Sequence, residues 1–218
     1  SNLDGASCGG TLFVILQRSC NTSFAEMAAE ILGPGPMIAA AEAAGFNNVP
    51  PIDLTRPVRS VYPTDFGDVV EDPDDVAPVY EDTPALAQTA IGQNDVAATP
   101  LQMALVTAGI ANEGRIMVPH VMAEVRARDG DVVERFDERP WRESMSAATA
   151  DVLRRAMVSV VTDGTASSLQ MPGVTVGAKT GTAQLGTTPP RSHAWMIAFA
   201  SPEGQAPTVA VAVMVQNV

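Results

Sequence analysis

At 218 residues, 46% hydrophobic and 17% charged, the chain has material for one large globular domain or two small ones. A formal charge of −12 and a pI of about 4.4 set it against phosphate backbones and anionic membrane surfaces, which argues against nucleic acid as a partner. No apolar run is long enough to cross a bilayer, the longest being residues 12–16 and 209–215.

Residues 1–10 are small and polar and read as loop. Residues 11–17 are apolar and fit either a helix or a buried strand, which periodicity does not separate over so short a run. After Asn21 the spacing predicts a helix over residues 24–32, ended by Gly33-Pro34-Gly35-Pro36, and an alanine-rich helix over 37–44 stopping at Gly45. Residues 47–84 are rich in proline. They include the acidic stretch Asp65, Asp68, Glu71, Asp72, Asp74, Asp75, Glu81 and Asp82, with no Lys or Arg among them. This segment reads as a long solvated surface excursion.

Thr99-Pro100 fits the N-cap and first position of a helix that ends near Asn112-Glu113-Gly114. Residues 121–136 read as a hairpin turned at Asp129-Gly130. A second strong helix covers residues 147–161, with Ser146 as cap and Gly164 as stop. Three strand-like runs follow, at 174–183, 193–200 and 208–215, joined by turn-forming loops, and predict an antiparallel meander.

The basic residues are twelve arginines and a single lysine, Lys179. That lysine stands in an otherwise apolar strand, where its charge is costly unless it faces a polar cleft. Gly181 removes a side chain where another backbone could approach. Thr180 and Thr182, two residues apart, share a face and offer two hydroxyls to one carboxylate. Far upstream, Ser19-Cys20-Asn21 immediately precedes a helix, which a simple cap also explains. Cys8 and Cys20 fit two reduced thiols or, in an exported protein, a disulfide. His120 and His193 read as structural, having no Ser-His-Asp setting. No zinc-ligand spacing, EF-hand pattern or phosphate-binding glycine loop is present, so no metal or cofactor is expected.

Ser19-Cys20-Asn21 and Lys179-Thr180-Gly181 resemble two of the three motifs of penicillin-recognising serine enzymes. Gly92-Gln93-Asn94, Thr99-Pro100-Leu101-Gln102, Ala111-Asn112-Glu113-Gly114, Pro119-His120 and Asp163-Gly164-Thr165-Ala166 narrow the resemblance to penicillin-binding proteins, and within them to the monofunctional class B transpeptidases. The arginine-rich composition suits an actinobacterial member. The resemblance covers about residues 11–218. It implies an α+β fold, an antiparallel sheet flanked by helices. Residues 11–164 would form a mainly helical subdomain that includes the loop at 47–84, and residues 165–218 the lysine strand and the strands after it.

The resemblance also implies an activity, cross-linking of peptidoglycan stem peptides by serine acyl transfer, with β-lactams acylating the same serine. Ser19 would relay a proton to the leaving nitrogen, and Asn21 would hold the substrate amide. Lys179 would place positive charge near Ser19 and the substrate carboxylate, and Thr180 and Thr182 would bind that carboxylate. The Thr182 N–H would be an oxyanion donor, and Gly181 would let the substrate lie along the strand. The domain would face the outside of the cell membrane, with stem peptides, β-lactams and division or elongation proteins as partners.

One departure stands out. The nucleophile belongs to a Ser-x-x-Lys motif, and three residues before the only lysine stands Val176. The expectation is therefore that the sequence is a piece of a longer protein, with the nucleophile upstream, and that by itself it forms no acyl-enzyme. The alternative is a penicillin-binding-like domain that only binds, as a sensor or scaffold.

Overall fold

The computed structural model of the chain describes residues 7–72, 74 and 77–217. The first six residues of the expected N-terminal loop, and Pro73, Asp75 and Val76 of the segment at 47–84, lie outside the described residues. Residues 12–17 form a helix, α1 (Leu12–Gln17), which settles the choice that periodicity left open. The chain then turns at Ser19 into α2 (Asn21–Glu26), whose continuation Met27–Leu32 widens into a π-helical turn. The start of this helix comes earlier than the spacing predicts. α3 (Pro34–Ala43) also starts early, because Gly33 adopts a left-handed φ of 69° and Pro34 occupies the first helical position, where its missing N–H costs nothing.

The segment at 47–84 is not a purely solvated excursion. Tyr62 and Phe66 are buried, and the Tyr62 hydroxyl donates to Thr89 Oγ1 at 3.0 Å. Phe66 packs with Ala85 and Leu86, against Met37 and Ile38 of α3. Between these anchors, β1 (Val69–Glu71) pairs antiparallel with β2 (Val79–Tyr80), and β1 is exposed. Within the predicted loop a further helix begins, α4 (Thr83–Thr89), with the Asp82 carboxylate accepting from Ala85 N–H and Pro84 in the first turn. It carries the same start signal as Thr99-Pro100, hidden by the prolines and acids before it.

α5 (Pro100–Ala111) begins as expected, with the Thr99 hydroxyl accepting from Gln102 N–H at 3.1 Å. β3 (Arg115–Met117) pairs with β6 (Pro140–Glu143), a short ladder the sequence does not announce. Between them lies the expected hairpin, β4 (Glu124–Arg126) against β5 (Val132–Arg135), turning through Gly130 at φ 97°. α6 (Ala147–Asp163) is capped by Ser146, whose hydroxyl accepts from Thr149 N–H. The chain finishes in the predicted meander of β7 (Val174–Gln184), β8 (Ser192–Pro202) and β9 (Val209–Val215), antiparallel in the order β7-β8-β9. The fold is α+β, antiparallel sheets with helices packed on them.

Two apolar clusters fix the helices to this sheet. Val160 and Val161 of α6 pack with Val176, Ala178 and Ala198. Met157 of α6, Ile110 of α5 and Phe199 of β8 form the second. Each of the larger buried side chains contributes about 1.5–3 kcal/mol. Gly177 is what allows the Phe199 ring to lie across β7, since a Cβ there would stand 2.2 Å from the ring. The register that follows places Lys179 opposite Ile197 and Thr182 opposite Ala194.

Candidate active site

β7 is the terminal strand of its sheet, so one edge of it carries no partner strand among the described residues. Alternation puts Lys179 and Gly181 on one face and Thr180 and Thr182 on the other. The Lys179 ammonium donates to Ser19 Oγ at 2.7 Å and to the Thr180 carbonyl at 2.9 Å. Burial pushes its pKa down to about 8 from the usual 10.5. No salt bridge among the described residues offsets that cost; a hydroxyl and a carbonyl oxygen solvate the charge instead.

Ser19 reaches the lysine from 160 residues away along the chain, and three local features bring it there. Its own backbone is left-handed, φ 56°, an uncommon state for a residue with a Cβ that reverses the chain between α1 and α2. Next to it, Cys20 is fully buried and disulfide-bonded to Cys8. α1 in turn sits on α6: the Gln17 carbonyl lies where a Cβ on Gly164 would be, 2.6 Å away, so only glycine permits this approach. Asn21, the first residue of α2, is half-buried just beyond the turn.

Two further residues contact this stretch of β7 although the sequence alone assigned them no role. The Thr165 hydroxyl lies 3.0 Å from the Thr180 hydroxyl, so one of the two hydroxyls expected to meet a carboxylate is oriented from the end of α6. Gln93, in the turn after α4, places its carboxamide on the outer edge of β7. Its Nε2 donates to the Thr182 carbonyl at 2.9 Å, and the Gln184 N–H donates to its Oε1 at 3.3 Å. Both residues stand in stretches that carry the family resemblance, and their pairing with β7 depends on contacts that sequence spacing does not encode. Because the N–H and C=O of one residue point to the same side of a strand, the Thr182 N–H also faces this edge.

A Cβ on Gly181 would meet only Trp195 Cβ, at an ordinary 3.4 Å, and the residue is exposed, so the sheet itself does not demand a glycine there. Neither histidine hydrogen-bonds the lysine among the described residues. His120 Nδ1 contacts the Met122 carbonyl, and His193 Nδ1 accepts from the Asn217 N–H. Among the described residues no cluster of His, Cys, Asp and Glu could hold a metal ion, and no helix is long and apolar enough to cross a membrane.

Comparison with known proteins agrees with this geometry. The profile of the penicillin binding protein transpeptidase domain matches residues 3–218. The peptidoglycan D,D-transpeptidase PbpA of Mycolicibacterium smegmatis is 36% identical over 222 residues, covering 99% of this chain and 41% of that protein. Its Mycobacterium tuberculosis counterpart is 35% identical over the same span. The chain thus spans about two-fifths of the length of the curated relatives it matches. Among solved structures, penicillin-binding protein A from M. tuberculosis in its imipenem acyl-enzyme complex superposes with a TM-score of 0.80 at 33% identity, over 99% of this chain and 45% of that one. The D,D-transpeptidase domain of a peptidoglycan glycosyltransferase from Eggerthella lenta reaches 0.85 at 28% identity, over 100% and 51%. On the lysine strand, the serine turn opposite it and this match along nearly its whole length, the chain belongs to the penicillin binding protein transpeptidase domain family.

Proposed function

We propose that the protein carrying this chain is a peptidoglycan D,D-transpeptidase that works through a serine acyl-enzyme. The observation that carries the reading is the Lys179 ammonium on Ser19 Oγ, 2.7 Å away, beside the edge of β7 that pairs with no further strand among the described residues. A hydroxyl held by a half-buried ammonium is a proton relay: it accepts a proton on one lone pair while it gives its own to the next atom.

In this reading a serine of a Ser-x-x-Lys motif elsewhere in the protein attacks the D-Ala–D-Ala carbonyl, and the C–N bond breaks. Ser19 passes the serine's proton to the departing amine. An amine of a neighbouring stem peptide then takes the acyl group and returns the proton, restoring the serine. Lys179 keeps Ser19 oriented and lies within reach of the terminal carboxylate, which Thr180 and Thr182 bind. The Thr182 N–H meets the developing oxyanion, a contact of the kind whose removal costs about 10²–10³ in rate. Asn21 holds the substrate amide. The helical part, residues 11–164, and the strands after it act as the two walls of this cleft.

The acyl-enzyme complexes of the M. tuberculosis relative support β-lactams as inhibitors of the same site. A role outside the cytoplasm, in division or elongation, follows from wall cross-linking as the reaction. The test is incubation of the full-length protein with a fluorescent penicillin. Covalent labelling at a Ser-x-x-Lys serine is expected, with none on residues 1–218 alone. An unlabelled full-length protein would make it a binding module instead.

A further inference from the structure

Gln93, in the helical part, hydrogen-bonds the backbone edge of β7 where the proposed acyl donor would pair, and none of the roles above uses it. Its position is fixed by main-chain geometry. α4 is anchored by the buried Leu86 and ends in a Schellman turn: the Gly92 N–H donates to the Thr89 carbonyl and the Gln93 N–H to the Gln88 carbonyl, each at 3.0 Å, with Gly92 left-handed at φ 73°. Gln93 thus leaves a rigid turn with its side chain aimed across to the strand, 89 residues on. There its carboxamide donates to the Thr182 carbonyl and accepts from the Gln184 N–H, 2.9 and 3.3 Å. A primary amide has the donor and acceptor of a peptide group, and here it makes the bonds a neighbouring strand would make.

Antiparallel pairing says what this contact competes with. In a hydrogen-bonded antiparallel pair, the N–H and C=O of one residue both bond the same residue opposite. An acyl donor whose scissile carbonyl sits on the Thr182 N–H therefore presents that residue's own N–H to the Thr182 carbonyl. That carbonyl is the one Gln93 holds. The next donor carbonyl along would seek the Gln184 N–H, which Gln93 also holds. The Thr182 N–H takes no part in the Gln93 contact.

We propose that the Gln93 carboxamide is a place-holder for the acyl donor's peptide group, and that an extended donor displaces it to pair with Thr182. The inference rests on the transpeptidase reading and adds a residue that sets which donors enter. Displacement exchanges like hydrogen bonds for like, so it is feasible, yet it takes binding free energy from every donor that carries the N–H. A donor without that N–H gains no bond at the Thr182 carbonyl and has no cause to displace Gln93. The site thereby grades donors by the peptide group next to the scissile bond, and the oxyanion donor stays in place throughout.

The experiment is acylation kinetics on the full-length protein, wild type and Q93A, resolving the dissociation constant of the initial complex from the acylation rate at saturation. The probes are penicillin G, which carries an acylamino N–H beside its reactive carbonyl, and imipenem, whose hydroxyethyl group has none. With Q93A, the penicillin G dissociation constant should fall about threefold to tenfold, the worth of one net hydrogen bond. Its saturating rate should stay within about twofold, and both imipenem parameters should hold. Q93L, which keeps the bulk of the side chain and removes both bonds, should behave as Q93A does. Wild type that is acylated while both variants bind penicillin G no better, or worse, overturns the place-holder and leaves the transpeptidase reading standing. An equal change for the two probes also overturns it, since that is what a merely structural role of Gln93 produces. Wild type that neither probe acylates overturns the transpeptidase reading itself.

Discussion

The two walls of the proposed site are built on opposite plans. The strand wall is set by register: β7 and β8 pair without a break from Val174↔Pro202 to Gln184↔Ser192, and Lys179 has its place because every residue before it in the ladder has one. On the helical wall no strand ladder carries the serine turn, since Ser19 lies between two helices. Ser19 stands at a single left-handed residue between two six-residue helices, held by the Cys8–Cys20 disulfide and by the close approach that Gly164 allows. A ladder distributes a perturbation over many bonds, whereas a turn fixed by a few contacts passes it straight to the side chain it carries. Chemistry should therefore be separable from stability on the strand side and coupled to it on the helical side.

Lys179→Met gives the sharpest separation. Without the ammonium, acylation of the full-length protein by a fluorescent penicillin should fall by at least about 100-fold. Stability should not fall with it, because the pKa of about 8 marks the buried charge as unfavourable to folding. The sign follows from proton counting. Between about pH 8 and 10.5 the unfolded chain keeps the proton that the folded protein has released, so unfolding free energy rises with pH across that window. The charge penalty is fully present below pH 8. The Met variant should melt at or above the wild-type temperature at pH 7, and its advantage should shrink as pH approaches 10.5. A variant that is inactive because it is unfolded would show that the strand wall needs its lysine to fold.

On the helical side the two effects should move together. Cys8→Ser with Cys20→Ser opens a loop whose ends are 12 residues apart, which in the chain-entropy picture costs about 3 kcal/mol. Ser19 directly precedes Cys20, so acylation should slow in the same variant and the amides of residues 19–21 should exchange faster. Full acylation at an unchanged melting temperature would mean that the left-handed turn holds itself.

The same contrast decided what the sequence made legible. The strand wall could be read in advance because a period of two over apolar residues specifies strand, face and order together, and a lysine inside such a run stands out. The caps at Thr99 and Ser146 were legible for the same reason, a local hydrogen bond encoded by local residues. Whether α1 was helix or strand was not, since its apolar run is as short as the helix it forms. β3 against β6 escaped because each strand is too short for a period and their partnership spans the whole hairpin between them. The burial of Tyr62 and Phe66 was masked by the prolines and carboxylates around them. For the proposed site, Ser19, Asn21 and Lys179–Thr182 could be named from their motifs. Gln93 and Thr165 could be seen in suggestive stretches but not given a role, because what each does depends on an atom 89 or 15 residues away.

Within the strand wall, two glycines test whether the ladder or the cleft sets the constraint. Gly177→Ala puts a Cβ into the Phe199 ring, and an overpacked core of this kind costs about 1–3 kcal/mol. Gly181→Ala meets only Trp195 Cβ at 3.4 Å, so its stability should change by no more than about 0.5 kcal/mol. If Gly181 is there to leave room for a strand-pairing donor, its alanine variant should acylate more slowly at an unchanged melting temperature. Equal acylation would return Gly181 to the sheet as an incidental residue.

The smallest effect belongs to Thr165, which acts on the site only through Thr180. Thr165→Val keeps the side chain's shape and removes the hydroxyl 3.0 Å from Thr180 Oγ1. The Thr180 hydroxyl then loses one partner but remains able to rotate towards a carboxylate, so the cost is that of one exposed, neutral hydrogen bond, about 0.5–1.5 kcal/mol. If Thr180 binds the substrate carboxylate, the change should appear as about a twofold to tenfold weaker initial complex with penicillin, with the saturating acylation rate and the melting temperature preserved. A loss in the saturating rate instead would place Thr165 and Thr180 with Ser19 and Lys179 in the proton relay. The boundary between the carboxylate pocket and the relay would then run one residue further along β7 than the two-wall picture draws it.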